Sequence, residues 1–228
     1  MCTVVVRWAP QAPVLVLALR DELVGRPFDD PAAWWPEQPG AVGGRDRVAG
    51  GTWCVTDVPT GATALVLNRL QRRVAEPGAP SRGVLPLLAV RHGDAWPARL
   101  ELAGMASFAL VLGSPDALTV WEFDGTTLTS GPLPPGTHLV TSGGAEDGKV
   151  DRHRQHFIAA DSAEQWRALV VRDGEQDDLS ALLVRHEQGG STWATVFGQL
   201  LEAQPGQLAI RSSRTPSRAE TWERRTWP

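Results

Sequence analysis

A cysteine directly behind the initiator methionine is the first residue whose position suggests chemistry. The chain begins Met1-Cys2-Thr3, and its only other cysteine is Cys54. Removal of the methionine would leave Cys2 with both a thiol and the α-amine, groups whose ordinary pKa values are about 8.5 and 7.7–8.0. Such an amine can accept the thiol proton and later return it to a leaving group, so no histidine is needed. The alternative interpretation is that Cys2 is a small residue at a frayed end.

Two charged residues lie at the end of the second predicted strand. Apolar runs at Thr3–Trp8 and Pro13–Leu19 predict a hairpin, which is followed directly by Arg20 and Asp21. Adjacent residues on a strand point to opposite faces, so only one of the two is expected to face Cys2. An arginine there would stabilise a thiolate, and the aspartate could hold the α-amine or a substrate nitrogen. The alternative is a solvated strand end with a surface ion pair.

An asparagine closes the fourth predicted strand. The amide of Asn68 could donate to a developing oxyanion, and a plain turn asparagine is the competing interpretation. His153 and His156 are three residues apart on a predicted helix, a spacing that permits metal or haem ligation but is more typical of a solvated helix face. No metal site is predicted.

Tryptophans and a turn suggest a ligand site in the polar segment 20–51. Trp34, Trp35 and Trp53 could line one apolar pocket for a flat or long ligand, with Arg45 in an adjoining Gly-Arg-Asp turn. Ordinary packing of a long loop is the competing interpretation. A segment this long without clear periodicity is usually functional or disordered, and its paired tryptophans favour an ordered, functional loop.

Composition excludes several classes of protein. The 228 residues carry a net charge of −4 and no basic excess, which argues against a nucleic-acid partner. Two cysteines are too few for a disulfide framework or a zinc pattern. The longest apolar runs are far too short for a membrane span. No signal peptide is predicted, because strand-like sequence begins at Thr3 without the charged and apolar regions of such a peptide. A cytoplasmic protein is expected.

The order of predicted elements indicates an α+β fold with two packed sheets and helices outside, formed by residues 1–228 as a single domain. Further strands are predicted at 53–57, 62–68, 108–113, 118–124, 126–133, 138–142, 191–201 and 208–212. Helices are predicted at 81–91, 94–103, 149–160 and 163–172, with one more turn at 178–186.

Several short motifs occur together along the chain. They are "MC" at the start, "LRDELVGRP", "GRDRVAGGTW", "ALVLN", "SRG" and "PPGTHLVTS". In this order they resemble the NRDE family, also called the Transport and Golgi organisation protein 2 family. The resemblance implies a four-layer αββα sandwich of the N-terminal-nucleophile (Ntn) hydrolase type, in which an Arg-Asp pair lies beside the nucleophile.

The resemblance implies two kinds of function. One is a cysteine Ntn hydrolase that cleaves an amide or thioester through Cys2, with Ser142 near the pocket. The other is a non-catalytic protein that binds or traffics haem or an acyl ligand. Either implies a small-molecule substrate or ligand and no required cofactor. Three positions depart from the family pattern by losing a polar group, namely Leu19, Gly143 and Trp193.

Overall fold

Strands dominate the structure. This computed structural model describes residues 2–69, 74–145 and 147–228. Its strands are β1 (Thr3–Trp8), β2 (Val14–Leu23), β3 (Phe28–Ala32), β4 (Ala41–Asp46), β5 (Cys54–Asp57), β6 (Ala62–Asn68), β7 (Phe108–Gly113), β8 (Leu118–Phe123), β9 (Leu128–Pro132), β10 (Gly136–Thr141), β11 (Glu175–Gln176), β12 (Leu183–Gln188), β13 (Ser191–Gln204), β14 (Gln207–Ser213) and β15 (Glu223–Trp227). Its helices are α1 (Leu85–His92), α2 (Gly148–Ala159) and α3 (Ala163–Asp173), with 3₁₀ segments at Arg82–Val84, Gly93–Arg99 and Ala219–Thr221.

The strands form two sheets. The first sheet has the spatial order β10-β1-β2-β13-β12-β11, and β14 and β15 extend it beside the second half of β13. The second sheet runs from β3 to β9 in chain order, as expected for a meander of antiparallel strands joined by short turns. β1 therefore lies inside the first sheet, hydrogen-bonded on both sides.

Three apolar clusters show how the layers stack. One cluster fills the space between the sheets and includes Val4, Val16, Leu65, Val111 and Leu201. A second lies between the second sheet and α1 and includes Val55, Leu85, Trp96, Phe108 and Trp121. A third lies between the first sheet and helices α2 and α3 and includes Val5, Leu17, Phe157, Trp166 and Leu200. The layers are thus helix, sheet, sheet, helix, which confirms the predicted α+β, four-layer αββα sandwich.

Strand alternation decides which residues of β1 and β2 face the other sheet. Val4 and Ala18 lie in the cluster between the sheets, whereas Val5 and Leu19 lie in the cluster under the helices. Since side chains alternate along a strand, even-numbered residues of both strands face the space between the sheets.

Most predicted strands and helices are confirmed, and three predictions are wrong. The predicted loop 20–51 contains β3 and β4, although Pro31 and the glycines of β4 are poor strand formers; pairing to β5 outweighs their propensity. The predicted helical turn at 178–186 is wrong, because residues 179–182 form turns and bends and residues 183–186 begin β12, whose Leu183 and Val184 are buried. The polar edge strand β15 was not predicted, and it is held by pairing to β14.

None of the helices within the described ranges has the length and apolar character needed to cross a lipid bilayer.

Candidate active site

Cys2 lies at the entrance to β1, next to the end of β10. Its backbone N–H donates to the Ser142 hydroxyl oxygen at 3.0 Å, and its carbonyl oxygen accepts from the Ser142 N–H at 3.2 Å. The predicted site residue Ser142 is thus beside Cys2. As an even-numbered residue, Cys2 falls on the face between the sheets, and its side chain packs against that cluster.

Strand register brings Arg20 to Cys2. Thr3 pairs with Leu19 across the β1–β2 ladder, so one further step places Cys2 opposite Arg20. Both fall on the same face of the sheet, and the charge of Arg20 lowers the pKa of the Cys2 thiol. The structure therefore brings these two predicted residues together.

The Arg20 guanidinium is held in a fixed orientation. It is 5% exposed and lies over the rings of Trp53, at 4.5 Å, and Phe28, at 5.3 Å. Its Nη2 donates to the carboxylates of Glu22 and Asp46, each at 3.2 Å. Stacking and ion pairing together fix the planar group in one place.

Asp46 organises the loop that covers this arginine. Its carboxylate accepts the backbone N–H groups of Val48 and Ala49, each at 2.9 Å, and the Arg26 Nε–H at 2.7 Å. Burial alone would raise the pKa of the Asp46 carboxyl, but the hydrogen bonds from Arg26, Ala49 and Val48 and the charge of Arg26 lower it overall. Asp46 is therefore an anion at neutral pH that joins the turn to Arg20.

A second arginine approaches the thiol from the 3₁₀ segment ahead of α1. Arg82 donates from Nη1 to the Ser107 carbonyl at 2.9 Å. Burial lowers the pKa of Arg82, and the nearby Cys2 and Glu22 raise it. This 3₁₀ segment is held by a hydrogen bond that the Thr52 N–H donates to the Gly83 carbonyl oxygen. The two backbones approach so closely here that a Cβ on Gly51 would lie 2.4 Å from backbone atoms of Gly83.

Asp21 points away from the space between the sheets, so the suggestion that it holds the α-amine is not supported. Its carboxylate accepts from the Thr195 hydroxyl at 2.5 Å and pairs with Lys149 Nζ at 3.4 Å on the helix side of the sheet. Lys149, the only lysine of the chain, also donates to the Thr3 hydroxyl at 3.1 Å. Only the Asp21 backbone reaches the thiol, with its carbonyl oxygen 3.7 Å from Cys2 Sγ.

A β-bulge in β13 lies opposite this Arg-Asp pair. Asp21 pairs with Thr195 but Arg20 pairs with Phe197, so the register shifts by one residue. In a regular strand, residues 195 and 197 would share a face. The bulge instead sends Thr195 to Asp21 and Phe197 to the ring of Trp53, at a centroid distance of 5.9 Å.

Burial governs the ionisation of the nucleophile. Desolvation raises the pKa of the Cys2 thiol, and the charge of Asp21 adds to the increase, while the positive chain terminus, the Asp21 carbonyl and Arg20 oppose it. The thiol is therefore protonated at neutral pH and needs a base before it can attack a carbonyl.

Asn68 is not placed as an oxyanion donor. Leu65 and Leu67 of β6 lie between the sheets, so Asn68 follows Ala64 and Val66 on the opposite face. It is exposed, and the described residues include no hydrogen bond from its side chain to Cys2. Asn68 therefore faces the α1 layer and not the space that Cys2 faces, which favours the alternative interpretation of a plain turn asparagine.

The three tryptophans do not line one pocket. Trp35 and Trp34 belong to the cluster under α1, whereas Trp53 lies between the sheets, on the other face of the second sheet. Arg45 stacks over Trp34 at 4.5 Å and pairs with Asp29 at 2.7 Å, away from Cys2. Of this predicted set, only Trp53 contacts Arg20, the residue opposite Cys2.

Leu19 and Gly143, two of the three departures from the family pattern, do not face the space between the sheets near Cys2. Leu19 is 1% exposed in the cluster under α2 and α3, so a polar residue there would face the helices. Gly143 lies beside the start of α2, where an added Cβ would meet the Asp147 carboxylate at 2.7 Å. Neither change removes a polar group from the face that carries Cys2.

A side groove of about 440 Å³ opens between β8, β9, β10 and α2. Val120, Leu133 and Val140 form its apolar wall and pack against the same cluster as Cys2. Arg69 and Arg154 lie at its edges. The described residues contain no group of three or more His, Cys, Asp or Glu side chains placed to hold a metal ion.

Sequence reasoning missed four residues of this centre, which are Glu22, Asp46, Arg82 and Lys149. Two signals were available: Glu22 and Arg82 lie within quoted motifs, "LRDELVGRP" and "SRG", and Lys149 is the sole lysine. Their proximity comes from tertiary packing, which spacing along the chain does not show.

Comparisons with known proteins show the family to which the chain belongs. The chain is similar to the Caenorhabditis elegans N-acylethanolamine-hydrolyzing acid amidase ortholog, with 9% identity, 99% of each chain covered and a TM-score of 0.47. No curated protein sequence matches the chain. The family model of Transport and Golgi organisation 2 matches residues 1–194. The chain therefore belongs to the Transport and Golgi organisation 2 family.

Proposed function

We propose that the protein is an amidohydrolase or acyltransferase that uses Cys2 as its nucleophile after Met1 is removed. The observation that carries this proposal is the position of Cys2 at the head of an interior strand, facing the space between the sheets and opposite the buried Arg20. A buried cysteine in an apolar core without such partners would be inert.

The α-amine is the base that this geometry favours. The Cys2 nitrogen already donates to Ser142 Oγ at 3.0 Å, a contact that would orient the amine once Met1 is gone. A free α-amine has an ordinary pKa of about 7.7–8.0, close to working pH, which suits a general base. The raised pKa of the thiol makes this base necessary.

The reaction follows from these groups. The amine takes the thiol proton as Sγ attacks the substrate carbonyl carbon, which gives a tetrahedral oxyanion. The C–N or C–S bond then breaks, and the ammonium returns its proton to the leaving nitrogen or sulfur. Water, or another acceptor in a transferase, attacks the thioester and regenerates the free thiol.

Turnover of reporter substrates tests the proposal. We expect thioester and anilide reporters to be cleaved by the mature chain, and Cys2→Ala to abolish cleavage. Cys54→Ala is the matched control because it removes the other thiol, which is 1% exposed in the core. Equal activity of Cys2→Ala and the unsubstituted chain would contradict the proposal.

A second candidate function is binding of haem or an acyl ligand in the side groove. Its volume of about 440 Å³ lies within the range of small-molecule pockets, and its apolar wall is flanked by cationic side chains. A Cβ on Gly131 would meet no atom within 4 Å, so Gly131→Trp should fill the groove and Gly131→Ala should not.

Haem titration with Soret detection distinguishes these variants. Saturable binding at micromolar haem that is weakened by Gly131→Trp but not by Gly131→Ala would support the second function. Unsaturable binding, or equal binding by both variants, would contradict it.

A further inference from the structure

An unpaired donor lies beside the proposed nucleophile. Nη1 of Arg20 is fully buried, and no hydrogen-bond acceptor for it exists in the part of the chain that the structure describes. The residue is 5% exposed, and its other terminal nitrogen is already shared between Glu22 and Asp46. Buried polar groups are almost always paired, so this donor indicates that an acceptor is supplied from outside the chain.

A neighbouring ring adds a second unpaired donor. Trp53 stacks on Arg20 at 4.5 Å, and its indole Nε1–H is also buried without an acceptor among residues 2–69, 74–145 and 147–228. One unpaired N–H group can be accidental. Here two stacked side chains, Arg20 and Trp53, each have a buried N–H group without an acceptor among the described residues.

The charged side chains around Arg20 carry a net positive charge. Arg20, Arg26 and Arg82 face the carboxylates of Glu22 and Asp46, so one positive charge stays uncompensated in this group of described residues. The Arg82 guanidinium donates to a neutral carbonyl, that of Ser107, and not to a carboxylate. The excess matches one monoanionic group better than a dianionic phosphate.

We propose that Arg20 and Arg82 form an anion subsite that binds a carboxylate carried by the substrate close to the bond that Cys2 attacks. The inference rests on the proposed function for the position of that bond. The unpaired Nη1 of Arg20 can donate a charge-assisted N–H···O bond to such a carboxylate, and the charge of Arg82 adds to the attraction. The substrate class is then an amide or thioester with a carboxylate near the scissile carbonyl, such as an N-acyl amino acid.

Alkylation of Cys2 by two matched reagents tests the subsite without a known substrate. Iodoacetate and iodoacetamide react with thiols in the same way and differ by a carboxylate. The ratio of their rates cancels the fraction of thiolate, so it reports only the preference for the anion. We expect this ratio at Cys2 to exceed that of free glutathione about tenfold, as for a charge-assisted hydrogen bond.

Variants locate the effect. Arg82→Gln is expected to lower the ratio about fivefold or more, and Arg82→Lys, which keeps the charge, to lower it less. Arg224→Gln removes the same charge from an exposed site on β15 and is expected to leave the ratio unchanged. A ratio equal to that of glutathione, or one unaffected by Arg82→Gln, would overturn the subsite.

A binding experiment separates this inference from the proposed reaction. Ligand-observed NMR with Cys2→Ala protein should detect N-acetylglycine but not N-acetylglycinamide, and Arg82→Gln should abolish the difference. Carboxylate binding in a chain whose Cys2 resists both alkylating reagents would refute the nucleophile and keep the subsite. Alkylation without charge preference and without carboxylate binding would refute the subsite and keep the nucleophile.

Discussion

The buried pair of Lys149 and Asp21 offers a quantitative test of how α2 is held against β2, the strand that carries Arg20 and Asp21. Both side chains are essentially inaccessible, with exposures of 0% and 1%, and Nζ lies 3.4 Å from Oδ2. Lys149→Met keeps a long apolar stem but removes the positive charge that pairs with the Asp21 carboxylate.

The expected cost is large. Removing one partner of a buried ion pair destabilises a protein by about 3–5 kcal/mol, because the remaining charge stays desolvated. A typical domain has a free energy of unfolding of about 5–15 kcal/mol, so this loss is a substantial part of the total. Asp21→Asn alone should cost a comparable amount, since it removes the other charge of the same buried pair.

Replacing both residues should cost less than the sum. In the variant with both Lys149→Met and Asp21→Asn no buried charge remains, and contacting residues of this kind show coupling energies of about 0.5–3 kcal/mol. We expect a coupling energy near the upper end of this range, because both charges are buried and water does not screen their attraction.

Urea unfolding followed by tryptophan fluorescence measures these free energies for the four chains of the cycle. Arg154→Met, on the exposed face of the same helix, is the matched control and should change stability by less than about 0.5 kcal/mol. A cost below about 1 kcal/mol for Lys149→Met, or strictly additive single variants, would refute the view that this pair ties α2 to β2.

Three further predictions follow from the same contacts. The pKa of Asp46 is lowered in the folded state, so its stabilising contribution is complete above its ordinary value of 3.8 and is lost as pH falls through the folded value. Asp46→Asn should therefore flatten the loss of stability as pH falls below 3.8, and an unchanged acid limb in urea titrations would count against this. Gly51→Ala should lower the free energy of unfolding by about 1–3 kcal/mol, because its Cβ would lie 2.4 Å from backbone atoms of Gly83. Gly131→Ala, with open space around its Cβ, is the control and should leave the melting temperature unchanged. Equal melting temperatures for the two variants would show that the close approach of Gly51 to Gly83 does not matter for stability. Burial raises the pKa of Cys54, so peptide mapping after iodoacetamide should find this thiol unmodified until the chain is unfolded, and labelling in the native state would contradict its place in the core.

The sheet scaffold could be predicted wherever strands are apolar. Runs such as those of β1, β2 and β7 bury almost every residue, so composition and period identify them directly. β3, β4 and β15 carry proline, glycine or charged residues, and only the strands beside them make them strands. Such pairing is a property of the tertiary fold and leaves no local pattern.

The site could be predicted in part. The hairpin and its alternation were enough to place Arg20 near Cys2, because both depend on counting along two adjacent strands. The contact of Asp21 with Thr195 depends on the bulge in β13, which lies about 175 residues away along the chain. Asp46, the last residue of β4, pairs with Arg20, and Arg82 approaches Cys2 from the 3₁₀ segment ahead of α1. No spacing rule connects either residue to Cys2.

Likewise, the tryptophan pocket failed as a prediction because proximity along the chain was taken for a shared face. The strand pairing of the second sheet separates Trp53 from Trp34 and Trp35 by the thickness of the sheet itself. A single-sequence argument has no access to which face of a sheet a loop crosses.

The intact mass of the purified, untagged chain, taken before and after incubation with an activated acyl ester, shows whether Met1 is removed and whether Cys2 is the nucleophile. We expect a mass without Met1 and the gain of one acyl group, labile to hydroxylamine, in the unsubstituted chain and in Cys54→Ala but not in Cys2→Ala. A chain that retains Met1 and takes up no acyl group would contradict it.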